Sequence, residues 1–285
     1  TTEIYTLSLH DALPIWSRSA AAGRRGQLEA LVIGYAYRAI WALLTVAPAT
    51  LAAGEILGRH PSGDAAFWER GGLWASETVR LIAPRSGTIV AEGGAVALLG
   101  ALGWLLPLGV MMATFGQPTK ALRDRLAVAA RGLPTMSLLL GTFTLVKTLV
   151  FGGLTLLAIM LVRGASSVSG QQWPLGLVAL GLLGAWSVAV LHDLARWSCL
   201  LEGHGFWGSL SRAFSSARRE RRLWWSAAWR TLAAIALLSF CAWMTSIYVA
   251  GSVSFATATQ QLAIAGFVAL RASWFACIAR SATES

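Results

Sequence analysis

The stretch Leu133–Val162 reads LPTMSLLLGTFTLVKTLVFGGLTLLAIMLV and carries a single charged residue, Lys147. An α-helix rises about 1.5 Å per residue, so about 20 apolar residues cross the roughly 30 Å hydrocarbon core of a bilayer. Lipid offers no hydrogen-bond partners to a bare backbone, and only a helix satisfies its own backbone within one segment. The stretch therefore predicts a transmembrane helix.

Five further stretches have the same character. The six predicted transmembrane helices lie at about 28–53, 93–115, 133–162, 173–191, 224–250 and 255–278. The 285-residue chain is 56% hydrophobic and 13% charged, whereas a soluble domain is about a quarter charged. Its mean hydropathy is +0.61. We predict an all-α, polytopic integral membrane protein, with a single domain at residues 16–285 that forms a six-helix bundle.

The first fifteen residues are set aside from the fold analysis. Thr1–Ile15, TTEIYTLSLHDALPI, resembles the translation of a common sequencing-adapter oligonucleotide. Segments that arise from cloning or processing carry no information about the fold. His10 and Asp11 are therefore not considered as site residues.

Basic residues concentrate in alternate connections between the predicted helices. The entry to the first helix and the second and fourth connections are rich in arginine, whereas the third has only Arg163 and the fifth has no charge. Arginine-rich connections face the cytoplasm, so both termini are expected there. High Ala, Gly, Leu and Arg usage with only two lysines indicates a GC-rich bacterial genome, and hence the cell inner membrane. The net charge of +10 favours anionic phospholipid, not nucleic acid, as the partner.

Two connections are expected to contain helices at the membrane interface. In the first outer connection, Ala65–Ile82 combines Trp68 and Trp74 with other apolar residues, and tryptophan prefers the headgroup region. Gly71 and Gly72 argue for a break inside this helix.

The fourth connection predicts a basic amphipathic helix. Trp207, Leu210 and Phe214 fall on one face at helical spacing. Four arginines follow at once: Arg218, Arg219, Arg221 and Arg222. Contact with anionic headgroups would contribute about 1 kcal/mol for each basic residue near the surface. A topology signal and a docking surface for a partner protein are the two alternatives.

Lys147 lies near the middle of the third predicted helix. A charge there costs roughly 2.5–3.5 kcal/mol on insertion scales, so a lysine at this position indicates a functional or structural role that offsets the cost. One interpretation is a site for an ion, a proton or an anionic substrate. The other is a lysine that reaches a water-filled crevice or a carbonyl at a helix break, because Gly152 and Gly153 are nearby.

Four more charges are predicted in or near the cytoplasmic half of the membrane, at Arg38, Asp193, Arg230 and Arg271. A salt bridge between Asp193 and Arg271 would satisfy both, with Arg230 as the competing partner. We favour an interhelical clamp over a transport gate for this pair.

Catalytic signatures are nearly absent. The sequence has no phosphate-binding glycine loop, no HExxH and no GxSxG. His192 and Asp193 form an HD pair, but no second HD pair or carboxylate cluster accompanies it. The cysteines at Cys199, Cys241 and Cys277 form no CxxC pair. We predict no catalytic residues, no cofactor and no metal site.

Three stretches carry a resemblance to a known group of proteins: FWERGGLWASETVRL at 67–81, LHDLARW at 191–197 and LRASW at 270–274. Together they resemble a family of uncharacterised six-helix bacterial inner-membrane proteins, over nearly all of the chain after Trp16. The resemblance implies the architecture and transfers neither an activity nor a site.

The sequence leaves two functions open. The leading hypothesis is a non-enzymatic scaffold or accessory component of a membrane complex, which contacts lipid or partner proteins through Arg218–Arg222. The alternative is a transporter or permease subunit in which Lys147 and the Asp193–Arg271 pair line the path.

Overall fold

The computed structural model describes residues 21–57, 86–118, 120–164, 172–248 and 253–284, and the secondary structure within these ranges is helical. The helices are α1 (Ala21–Leu57), α2 (Ser86–Gly103), α3 (Leu105–Gly116), α4 (Leu122–Gly164), α5 (Gln172–Leu201), α6 (Phe206–Arg219), α7 (Arg221–Tyr248) and α8 (Val253–Glu284).

Six stretches of these helices are long and apolar enough to cross a membrane. They are Arg25–Thr45, Ala91–Gly116, Leu122–Leu161, Pro174–Leu201, Arg221–Met244 and Thr257–Ala282. The predicted all-α, six-helix membrane fold is confirmed. The second stretch joins α2 to α3 through Trp104, whose N–H still donates to the Gly100 carbonyl at 2.9 Å. Pro107 sits in the first turn of α3, where a missing N–H costs little.

Two helices extend well beyond the predicted apolar stretches. α4 begins at Leu122, where hydropathy alone placed the start near residue 133. α5 continues to Leu201 and so includes Asp193 and Arg196 inside the helix. Hydropathy marks where apolar side chains end, whereas a helix continues through charged residues that have good helix propensity.

The helix expected in the fourth connection is present as α6. The helix expected at Ala65–Ile82 and the segment Thr1–Ile15 lie outside the described residues.

The chain divides into two compact units. Among the described residues, the first comprises those within 21–30, 108–232 and 271–284, and the second comprises those within 31–107 and 233–270. The first unit therefore contains all of α4, α5 and α6, as well as the charged residues at Lys147, Asp193 and Arg271.

In the first unit, α4 and α5 pack against each other in antiparallel register. Near one end of this helix pair, a Cβ added at Gly184 would lie 2.8 Å from the Val150 side chain. Near the other end of the pair, a Cβ added at Gly132 would lie 2.7 Å from the Leu200 side chain. Small residues at such positions let two helices approach closely, which drives packing where lipid removes the hydrophobic effect between helices. The centre of this unit is fully buried and rich in methionine, with Met111, Met112, Met136, Leu139 and Phe275.

The second unit is held by tyrosine side chains of α1. Tyr37 donates a hydrogen bond to the Gly100 carbonyl at 2.8 Å, and Tyr35 donates to Gln261 Oε1 at 2.5 Å. Val268 is buried in this unit. Polar contacts between helices are frequent in membrane proteins because few other partners exist for a hydroxyl in lipid.

Large apolar side chains cover the outside of the helices. Exposed leucines include Leu51, Leu149 and Leu175, the last with 72% of its surface accessible. A water-soluble surface rarely carries so many large apolar side chains, so these faces suit the hydrocarbon of a bilayer.

Candidate functional site

Asp193 is the centre of a buried ionic contact between α5 and α8. Arg271 Nη1 donates to its Oδ2 at 2.6 Å, and Arg271 Nη2 donates to its Oδ1. Trp274 Nε1 donates to Oδ2 at 3.1 Å. Asp193 is only 6% exposed, and both of its oxygens are engaged. This bidentate pair ties the two helices together, with the indole of Trp274 as a third donor.

Arg196 lies one turn further along α5 and is also buried, with 6% of its surface accessible. Its Nη1 is 3.8 Å from Asp193 Oδ1, at the outer limit of an ion pair. Its Nε is buried and has no hydrogen-bond partner among the described residues. Asp193 already accepts three hydrogen bonds, so the second guanidinium is only weakly compensated.

Lys147 approaches the same residues from α4. It is partly buried and interacts electrostatically with Asp193, Arg196 and Arg271. Because Cβ atoms tilt toward the N-terminus of a helix, a lysine at this position leans toward the Asp193 end of α5. We refer to Lys147, Asp193, Arg196 and Arg271 as the charge cluster. It holds three cations and one carboxylate.

His192 packs beside the charge cluster. Its ring stacks on Phe143 of α4, with centroids 4.7 Å apart and planes 14° from parallel. The residue is buried, and its Nε2 has no hydrogen-bond partner within the described ranges. Among those same residues, no three His, Cys, Asp or Glu side chains come together in a way that could hold a metal ion.

Arg230, the competing partner proposed for Asp193, contacts serines instead. Its Nη2 donates to the Ser273 carbonyl at 2.9 Å, and its Nη1 donates to the Ser226 carbonyl at 2.9 Å. Its guanidinium also lies 5.9 Å from the Trp274 ring centroid. These contacts join α7 to α8 beside the charge cluster.

Arg38 belongs to the second unit. Its guanidinium carbon lies 4.6 Å from the centroid of the Trp104 ring, a cation–π contact between α1 and the junction of α2 and α3. The predicted intramembrane charges therefore have three different environments: the charge cluster, the serine contacts of Arg230, and the Trp104 ring beside Arg38.

Helix α6 has one packed face and one open apolar face. Ser209, Ala213 and Ala217, spaced by four residues, are buried against the rest of the first unit. Trp207 and Phe214, on another face, are 79% and 49% exposed. The helix therefore places small side chains inward and turns Trp207 and Phe214 outward. That arrangement leaves a bulky apolar face uncovered.

Four arginines follow on the turn between α6 and α7, and we call Arg218, Arg219, Arg221 and Arg222 the arginine turn. All four are exposed. Two exposed tryptophans follow on α7, Trp225 and Trp229, with 74% and 62% of their surfaces accessible. Exposed tryptophan next to arginine is the usual composition of a helix at the level of lipid headgroups.

A small polar cleft lies between the ends of α5, α6, α7 and α8. Its cavity volume is only about 30 Å³, and it is lined in part by Ser198, Glu202, Arg212 and Ser281. Glu202 accepts a hydrogen bond from Ser198 at 3.0 Å and pairs with Arg212 at 3.3 Å. The Glu202 carboxylate is therefore already engaged in holding α5 and α6 together.

No family model, curated protein or solved structure matches the chain. The resemblance to a six-helix inner-membrane family stays a prediction.

Sequence reasoning brought Lys147, Asp193 and Arg271 into consideration but missed Arg196, Trp274 and the stack on His192. The sequence assigns Arg196 to the cytoplasmic connection, because the apolar stretch ends before it. Its spacing of three from Asp193 was the available signal, since residues three apart lie on one helix face. The same spacing separates Trp274 from Arg271.

Proposed function

We propose that this multi-pass membrane protein is a non-enzymatic scaffold or accessory component of a membrane complex. It would act through α6 and the arginine turn, which contact anionic lipid headgroups or a partner protein. The observation that supports this proposal is the orientation of α6. Its fully buried residues are small, and the large side chains of Trp207 and Phe214 are left exposed for something outside the chain.

The distribution of charge supports the same proposal. The arginine turn places four positive charges within five residues, next to apolar side chains that water does not favour. The only carboxylate between them is Glu220. We propose that this surface faces the cytoplasm, that both termini lie on that side, and that the membrane is a bacterial inner membrane.

The test is the size of the assembly in native membranes. Extraction in a mild detergent and native gel electrophoresis should show the chain in a particle larger than one chain with its detergent. Trp207→Ser combined with Phe214→Ser should reduce that particle to a single chain, because the substitutions remove the apolar contact. Thermal unfolding of the variant should stay near the wild-type midpoint, because both side chains are exposed.

A matched control uses the polar side of the same helix. Ser211→Ala combined with Ser215→Ala alters two exposed residues of α6 without removing an apolar contact. This control should keep the wild-type particle size. A wild-type chain that runs as a single chain, or a particle that survives the Trp207 and Phe214 substitutions, contradicts the proposal.

Transport is the second candidate, and the charge cluster is the observation that favours it. Charged residues inside a membrane domain frequently mark ion or substrate pathways. Lys147→Leu distinguishes the two candidates. A scaffold should keep its assembly size in this variant, whereas a transporter should lose flux of chloride or phosphate in proteoliposomes while it remains folded.

A further inference from the structure

We infer that the charge cluster is a binding site for an oxyanion, a phosphate or carboxylate group held between α4, α5 and α8. This inference goes beyond the scaffold proposal and does not depend on it. It also requires no transport, since a bound anion need not move.

The first step is the imbalance of charge. Arg196 and Arg271 bring two permanent positive charges to one carboxylate, Asp193, and Lys147 interacts electrostatically with all three residues. Arginine stays charged inside proteins, so Arg196 cannot relieve the imbalance by losing its proton. An excess of positive charge within a membrane-spanning region is costly unless a counter-ion is present.

The second step is the unused hydrogen-bonding capacity. Asp193 is taken up by Arg271 and by Trp274, so little of it remains for Arg196. Arg196 is nine-tenths buried, and its Nε donates to nothing in the described part of the chain. The Nε2 atom of His192, which donates in one of the two neutral tautomers of the ring, is also buried and without a partner there. A buried donor left unsatisfied costs about 1–3 kcal/mol, which a ligand oxygen would recover.

The third step is the chemistry of the donors. A guanidinium presents a planar fork of N–H groups that matches the oxygens of a phosphate or carboxylate, and an ammonium adds a compact charge. A water molecule could satisfy the Nε of Arg196, but it would leave the excess charge unchanged. The combination therefore favours an oxyanion over a neutral ligand.

The site is tested by binding. The full chain, purified free of added lipid, is unfolded thermally while phosphate replaces chloride at constant ionic strength. A ligand that binds only the folded state raises the unfolding midpoint in a saturable way. We expect such a rise for the wild type. In Arg196→Gln, the phosphate concentration at half-saturation should increase about tenfold or more, since a charge-assisted contact is lost.

Two further variants guard against misfolding and against general charge effects. Lys147→Leu leaves the Asp193–Arg271 pair intact and should also weaken the phosphate response. Arg123→Gln removes an exposed arginine of α4 outside the cluster and should keep the wild-type response. If Arg196→Gln fails to fold, the comparison of Lys147→Leu with Arg123→Gln decides the question.

A second measurement distinguishes a free anion from the phosphate of a lipid headgroup. Native mass spectrometry of the chain, reconstituted with phosphatidylglycerol or with phosphatidylcholine, reports the lipids that stay bound. If phosphatidylglycerol stays bound to the wild type and less of it stays bound to Arg196→Gln or Lys147→Leu, the ligand is a lipid headgroup. If phosphate raises the unfolding midpoint but no phosphatidylglycerol is retained, the ligand is a free anion. A supporting response, to phosphate or to phosphatidylglycerol, is weakened in Arg196→Gln or Lys147→Leu and unchanged in Arg123→Gln. The inference is wrong if neither ligand gives such a response.

Discussion

Asp193 depends on its neighbours more than any other charge that the structure describes, because two arginines and a tryptophan converge on one buried carboxylate. Removing one partner of a buried ion pair leaves the other charge uncompensated, which costs about 3–5 kcal/mol. Asp193→Asn should therefore lower the free energy of unfolding by about that amount. Thermal or denaturant unfolding in a fixed detergent measures the change.

A double-mutant cycle measures the interaction energy between Asp193 and Arg271 apart from their contacts with other residues. Asp193→Leu combined with Arg271→Met should destabilise the chain by less than the sum of the two single substitutions, because neither charge is then left alone. Additive losses would mean that the two side chains act independently, contrary to the contact between them.

The residue contacts show how far sequence reasoning reaches. The Asp193–Arg271 pair was predicted from charge and membrane depth alone, as was the competition from Arg230. The choice between the two arginines depends on rotation about the helix axes, which charge and depth do not specify. In the structure, Ser226 and Ser273 take the Arg230 donors, and those serines carry no signal in the sequence.

At the scale of helices, α3 and α4 approach each other closely at Gly109 in the first unit. A Cβ added at Gly109 would lie 2.8 Å from the Ala129 Cβ and 3.3 Å from its Cα. Because one of these neighbours is the backbone Cα atom of Ala129, a side chain at position 109 would force α3 and α4 apart. Gly109→Ala should therefore lower the free energy of unfolding by about 1–3 kcal/mol, the usual cost of overpacking.

Gly141 on α4 is the matched control. A Cβ added there meets nothing within 4 Å. Gly141→Ala should leave stability unchanged or raise it by up to about 1 kcal/mol, since alanine has the better helix propensity. Equal effects of the two substitutions on the thermal unfolding midpoint would contradict the packing of α3 on α4.

Adjacent residues of α6 should differ in environment because they point about 100° apart. A cysteine introduced by Phe214→Cys and labelled with an environment-sensitive dye should report an apolar surrounding in liposomes. The same dye at Ser215→Cys should report water. Identical emission at the two positions would show that α6 does not rest on an apolar surface.

The prediction of α6 itself succeeded because three large apolar residues share one helix face. The residues with which α6 packs against the rest of the first unit did not follow from the sequence. An amphipathic helix normally turns its large apolar side chains toward the protein. Here the small residues at Ser209, Ala213 and Ala217 occupy the packed side, and only the burial of each residue shows it.

At the scale of the whole molecule, six spans follow from composition because lipid imposes a length and an apolar character on each. The division into two compact units does not follow from hydropathy, because it depends on which helices touch. Such contacts depend on small residues and single hydrogen bonds, such as that of Tyr37 with Gly100. Similar small and polar residues occur throughout the chain.

Orientation in the membrane is the prediction that concerns the entire chain. The third and fifth connections hold almost no charge, whereas the arginine turn holds four positive charges within five residues. Loops rich in arginine are retained on the cytoplasmic side, so these connections should lie on opposite sides of the membrane. Single cysteines in a chain whose own cysteines are replaced by alanine would report each side.

A membrane-impermeant maleimide should label Ser166→Cys and Ser252→Cys in intact bacterial spheroplasts. It should label Ser215→Cys only after the membrane is permeabilised, because that position lies on α6 beside the arginine turn. The contrast between sides is expected to be nearly complete, because the strong difference in arginine content between the connections favours one orientation. Labelling of Ser215→Cys from outside would place the arginine turn on the outer face, and the lipid or partner contact proposed for it would then have to occur there.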